Sequence, residues 1–108
     1  MSKRSEVITD ENIDNKLASI GKLFLLDFWN EGCMVCKRIT PMLELLAEKY
    51  VDKVKLAKIN TDENPEIVDR FMIKSLPTLL FVKEGEVLER VSGVRTKTEL
   101  SMIIEKNI

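Results

Sequence analysis

Histidine is absent from this 108-residue chain, and cysteine occurs only twice. A tetrahedral zinc site draws on about four nitrogen or sulfur ligands, so the ordinary intramolecular zinc site lacks its donors. Charge of one sign is lacking too: 17 basic residues stand against 18 acidic ones, for a net charge of -1. No long-range field then favours nucleic acid, an anionic membrane or a strongly acidic substrate. Long apolar runs are missing. No stretch approaches the roughly 18 residues of a membrane helix, and the opening residues 1–12 turn polar before a secretory leader could form. The expectation is a soluble, cytoplasmic protein. Glycine (4) and proline (3) are sparse and lie singly, with no linker, repeat or low-complexity tract. One domain spanning 1–108 is therefore expected. What the chain does have is 44% apolar residues, enough for a core of its own.

Ile13, Leu17 and Ile20 follow helical spacing behind an acidic turn, predicting a short helix over 10–19. Leu23 to Trp29 is nearly all apolar, which predicts an inner strand covered on both faces and makes its one acid, Asp27, conspicuous. From Met34 to Tyr50 the apolar residues Ile39, Met42, Leu43, Leu46 and Tyr50 give an amphipathic helix that Pro41 should kink. A strand over 54–60 and a helix from Pro65 to about Met72 follow. Strands over 78–83 and 86–92 join at Glu84-Gly85 as a hairpin. Thr96 and Glu99 form a capping box for a last helix carrying Leu100, Ile103 and Ile104. Alternating strands and helices ending in a hairpin predict an α/β protein with a mixed sheet and right-handed parallel crossovers.

Both cysteines lie in Cys33-Met34-Val35-Cys36. A disulfide there closes too small a loop to stabilise the fold much, so reactivity or metal binding is the reason for the pair. Residues three apart on a helix share a face. With Cys33 at the non-helical residue that begins the helix, exposed amides and the positive end of the dipole meet its sulfur and favour thiolate. Cys36, one turn inside, is better sheltered and suited to resolving a mixed disulfide. Redox chemistry outweighs packing here. A metal or iron-sulfur site shared between two chains is a rival, as is a binding module whose cysteines only sense redox state.

The segments LLDFWNEGCMVCK, AKINTDENP and IKSLPTLLFVKEGE, in that order and spacing, resemble the thioredoxin family from about Val7 to the end. The resemblance implies three layers, α/β/α, with a central mixed sheet of four or five strands flanked by about four helices. It implies a protein-disulfide reductase with no bound cofactor beyond its own disulfide. Cys33 would be the nucleophile, Cys36 the resolving thiol, and Asp27 the buried carboxylate that takes the latter's proton. Burial alone should raise that acid's pKa. Lys58 matches the family's lysine beside the acid; a solvated lysine is the plainer reading. Pro77 matches the cis-proline loop facing the cysteines, where the backbone near Leu76 pairs with extended substrate. Without the resemblance, a trans proline starting a strand is commoner. Trp29 and Gly93 match a tryptophan and a glycine of the substrate surface, against core and turn readings respectively. By the same resemblance a thioredoxin reductase supplies electrons, disulfide-containing proteins are the substrates, and the protein works as a monomer.

The departure lies at the cysteines, where the family has Trp-Cys-Gly-Pro-Cys and this chain has Gly32-Cys33-Met34-Val35-Cys36. Gly32 removes a flat apolar cover and should open the substrate surface. Met34 returns flexible apolar contact. Val35 offers an amide that proline lacks; a bond worth about 1.5 kcal/mol to the thiolate would raise the potential by about 30 mV.

Overall fold

The computed structural model describes residues 5–18 and 21–108. Along the chain run β1 (Ser5–Val7), α1 (Ile13–Lys16), β2 (Leu23–Trp29), α2 (Met34–Lys49) and β3 (Val54–Asn60), then α3 (Pro65–Arg70), β4 (Thr78–Lys83), β5 (Glu86–Ser92) and α4 (Lys97–Asn107). The sheet is ordered β1-β3-β2-β4-β5. β1, β3 and β2 are mutually parallel, and β4 and β5 are antiparallel additions. β2 is central, which is why its run of apolar residues needs no polar face.

Alternate residues of β2 enter two separate cores. Leu23 and Leu25, with Val54, Leu56, Leu79 and Phe81, pack against Ile39, Leu43 and Leu46 of α2 and Leu100 and Ile104 of α4. Phe24, Leu26 and Phe28, with Ala57, Ile59, Leu80 and Val82, pack against Ile13, Leu17, Ile67 and Ile73 on the other side. The three layers are thus α2 and α4, the sheet, and α1 and α3. Burying a large apolar side chain is worth about 1.5–3 kcal/mol, and β2 places six of its seven residues out of solvent.

The expected strands over 54–60, 78–83 and 86–92 form with those bounds. Glu84 (φ 50°) and Gly85 (φ 83°) both take the left-handed region, as a two-residue type I′ hairpin turn requires. Pairing shifts from Phe81–Glu89 to Val82–Val87, so Leu88 is the extra residue of a bulge. Thr96 and Glu99 close the capping box of α4 in both directions, at 3.0 and 2.8 Å.

Two expectations are corrected, and one strand is added. The first helix is only Ile13–Lys16 rather than 10–19, because Thr9 and Asn12 bond each other as a turn. Asp10, read as part of the helix's acidic first turn, instead accepts the amides of Ile67 (2.9 Å) and Glu66 (3.3 Å) and caps α3 from a distant segment. Ile20 lies outside the described residues. Second, α3 ends at Arg70 rather than near Met72. Met72 is left-handed (φ 52°), and the amides of Met72 and Ile73 turn back to the carbonyls of Asp69 and Val68 in a Schellman motif. β1 is a strand that residue pattern did not reveal. Three residues carry no readable period, and only pairing with Leu56, Ala57 and Lys58 makes them a strand.

Candidate active site

Register brings the candidate residues to one end of the sheet. Trp29 ends β2 opposite Asn60, the end of β3. The start of β4 lies beside them, since Phe28 pairs with Thr78, and Thr78 in turn pairs with Ser92 at the end of β5. The loops that carry Cys33, Pro77 and Gly93 therefore leave the same edge. Ligand sites on α/β sheets form outside the carboxyl ends of the parallel strands, and this edge is such an end.

Cys33 is the N-cap of α2, with extended backbone (φ -94°, ψ 96°), and its sulfur accepts the amide of Cys36 at 3.1 Å. The helix thus aims an otherwise unused N–H, with the positive end of its dipole, at the partly exposed sulfur. Cys36 is 1% exposed. The two are joined as a disulfide with Cα atoms 5.3 Å apart. The Cys36 sulfur lies 4.0 Å from the carbonyl oxygen of Phe28. In this disulfide form the amide on the Cys33 sulfur is that of Cys36, one residue beyond the Val35 amide expected as a donor.

Asp27 lies in β2 between Leu79 of β4 and Lys58 of β3. It is fully buried, and neither carboxylate oxygen has a hydrogen-bond partner among the described residues. Burial raises its pKa from 3.8 to about 6, and the charge of Lys58 opposes that rise. Lys58 is half-buried rather than free in solvent. Its ammonium sits 5.2 Å from the centre of the Trp29 ring and donates to Thr40 Oγ1 at 3.4 Å. Thr40 was not singled out by sequence reasoning; the signal was its place four residues after Cys36, on the same helix face.

The Leu76–Pro77 bond is cis. Gly93 donates its amide to the Pro77 carbonyl at 2.9 Å, which ties the two loops together. A Cβ on Gly93 would meet only Arg95, at 3.9 Å, so its φ of 85°, not crowding, calls for glycine. Gly32 is different: a Cβ there would meet only Asn30 at 3.8 Å, and its backbone is not left-handed. No local geometry demands glycine at 32, and the flank of Cys33 is open. Met34 (66%) and Val94 (57%) are exposed apolar side chains next to Cys33 and Gly93 in sequence. Beside Leu76 a groove of about 380 Å³ is lined by Thr61, Val68, Ile73, Lys74 and Ser75 as well.

Among the described residues no three His, Cys, Asp or Glu side chains gather as a metal site. The arrangement can do dithiol–disulfide exchange: a partly exposed sulfur at a helix N-terminus, a sheltered second sulfur, and a buried carboxylate whose pKa burial raises to about 6.

Residues 4–106 match the family model described as Thioredoxin. The thioredoxin of Staphylococcus saprophyticus is 40% identical over 101 residues, covering 94% of this chain and 95% of that one. Thioredoxin 1 of Nostoc sp. is 35% identical over 101 residues, 94% of each chain. A chloroplastic M-type thioredoxin of Triticum aestivum is 41% identical over 103 residues, which are 94% of this chain but 59% of that longer protein.

Proposed function

This chain belongs to the thioredoxin family, has its α/β fold and is a thiol-disulfide oxidoreductase; on that premise we propose how its residues divide the reaction. In the reduced protein the Cys33 thiolate attacks one sulfur of a substrate disulfide, and the substrate's other sulfur leaves as thiolate. Asp27 takes the proton of the Cys36 thiol. The Cys36 thiolate then attacks the Cys33 sulfur, releases the second substrate thiolate and closes the Cys33–Cys36 disulfide. The substrate gains two electrons and the protein loses them. Lys58 tunes the acid. Trp29, Gly32, Met34, Val35, Leu76, Pro77 and Gly93 border the surface where an extended substrate segment lies.

The observation that carries this reading is the Cys33 sulfur at the mouth of α2 with the Cys36 amide 3.1 Å away, paired with a buried, unpartnered acid in the central strand. No bound cofactor is needed. A thioredoxin reductase regenerates the dithiol, and proteins with accessible disulfides are the substrates. The protein works as a single domain and a monomer in the cytoplasm; no helix among the described residues is long and apolar enough to cross a membrane.

Reduction of insulin disulfides with dithiothreitol as donor tests the reading. Turnover is expected, Cys33→Ser should abolish it, and Cys36→Ser should accumulate a covalent mixed disulfide. A folded protein without turnover would favour a redox-sensing binding module. Stoichiometric metal with visible absorbance in freshly purified protein would favour a shared cluster.

A further inference from the structure

Lys58 stands opposite Asp27 across the β2–β3 pairing, yet the carboxylate has no hydrogen-bond partner. Its ammonium is occupied elsewhere, by the Trp29 ring and by Thr40. Thr40 Oγ1 in turn donates to the Cys36 carbonyl at 3.1 Å. The direction of this chain is fixed by chemistry. An ammonium can only donate, so the Thr40 oxygen accepts, and its single proton goes to Cys36. At 3.4 Å the lysine contact is long for an N–H donor, which suits a contact that limits where the charge can go without neutralising it.

We infer that Thr40 is a positioning residue of the exchange site: its hydroxyl, anchored on the backbone of the resolving cysteine, fixes the Lys58 ammonium at a set distance from Asp27. The inference rests on the proposed role of Asp27 as base toward Cys36. From β3, Lys58 is the charge that acts on Asp27. β4 presents Leu79 opposite it, and Cys36 of α2, whose sulfur lies 4.0 Å from the carbonyl oxygen of Phe28, the next residue of β2, titrates only after reduction. Without the hydroxyl, the indole ring is the one hold left on the lysine among the described residues. A flexible four-carbon stem then lets the ammonium move outward into water, where it is strongly hydrated. Asp27 loses opposing charge, more of it is protonated at neutral pH, and less base is available to Cys36.

The test follows the Asp27 carboxyl carbon by NMR titration in the oxidised protein, a readout independent of turnover. Thr40→Val should move the midpoint up by about half a unit, and Lys58→Met by about a unit. Thr40→Ser, which keeps the hydroxyl, should restore the natural midpoint, and Thr40→Val added to Lys58→Met should produce no further shift. An unchanged midpoint in Thr40→Val, a downward shift, failure of the serine to rescue, or an undiminished shift in the Lys58→Met background would each overturn the inference. Should Thr40→Val fail to fold, Thr40→Ala carries the same comparison. Loss of insulin reduction by the natural protein would sink the proposed function instead and leave these titrations standing.

Discussion

Replacing Asp27 with asparagine removes a negative charge that the fold buries without a hydrogen-bond partner, while nearly preserving the shape of the side chain. The natural carboxyl titrates at about 6 in the folded protein against 3.8 for the ordinary group, chiefly because burial penalises the charged form. A raised pKa in the folded state means that folding binds the proton more tightly than the unfolded chain does. The stability from this group is complete below about pH 3 and declines as pH rises toward the folded value; above it, the full cost of the buried charge remains. A rise of about 2 units at about 1.4 kcal/mol each amounts to about 3 kcal/mol. Asparagine does not titrate, so its stability relative to the natural protein should be about 3 kcal/mol better at pH 8 than at pH 3. Urea denaturation of both oxidised proteins at the two pH values measures this. With a denaturant slope near about 2 kcal/mol per molar, the midpoint difference should widen by about 1.5 M. The same substitution should slow release of the mixed disulfide at pH 7 by up to about 100-fold, because a positioned base is gone. An equal midpoint difference at both pH values would refute the reasoning, since Asp27 would then be titrating as an ordinary surface acid.

Two further substitutions probe how the fold is held around the site. Met72→Gly should stabilise the protein by about 1 kcal/mol in thermal or chemical unfolding, because the left-handed backbone at φ 52° penalises a side chain and not glycine; no gain would show that Met72 contributes compensating contacts. Asp10→Ala should cost about 1 kcal/mol, the usual loss of a helix cap, because Glu66 and Ile67 both donate to its carboxylate. Hydrogen exchange should show the first turn of α3 opening in that variant, and an unaltered turn would rule out the cap.

The elements easiest to read were those whose signal is local. The apolar run of β2, the spacing of Ile39, Leu43 and Leu46, the turn at Glu84-Gly85 and the box at Thr96 each specify structure through period or short-range bonding. Cys33 at a helix start is of the same kind. The opening helix was over-read because Asp10 suits a helix's acidic first turn, yet its carboxylate is drawn to α3, more than fifty positions along the chain. The helix from Pro65 was likewise read two residues too long, because nothing in the residue type of Met72 announces the left-handed backbone that stops it.

The sequence by itself determined that two sulfurs share one turn at a helix mouth, behind a strand too apolar to face water, because spacing along a single element follows from backbone geometry alone. Tertiary structure decided what surrounds them. It set Lys58 against a ring and a hydroxyl rather than in solvent, left Asp27 without a partner, and tied Gly93 to Pro77. Those relations join segments distant in the chain, and the energies involved, desolvation and Coulomb attraction, depend on distances that exist only once the sheet has paired.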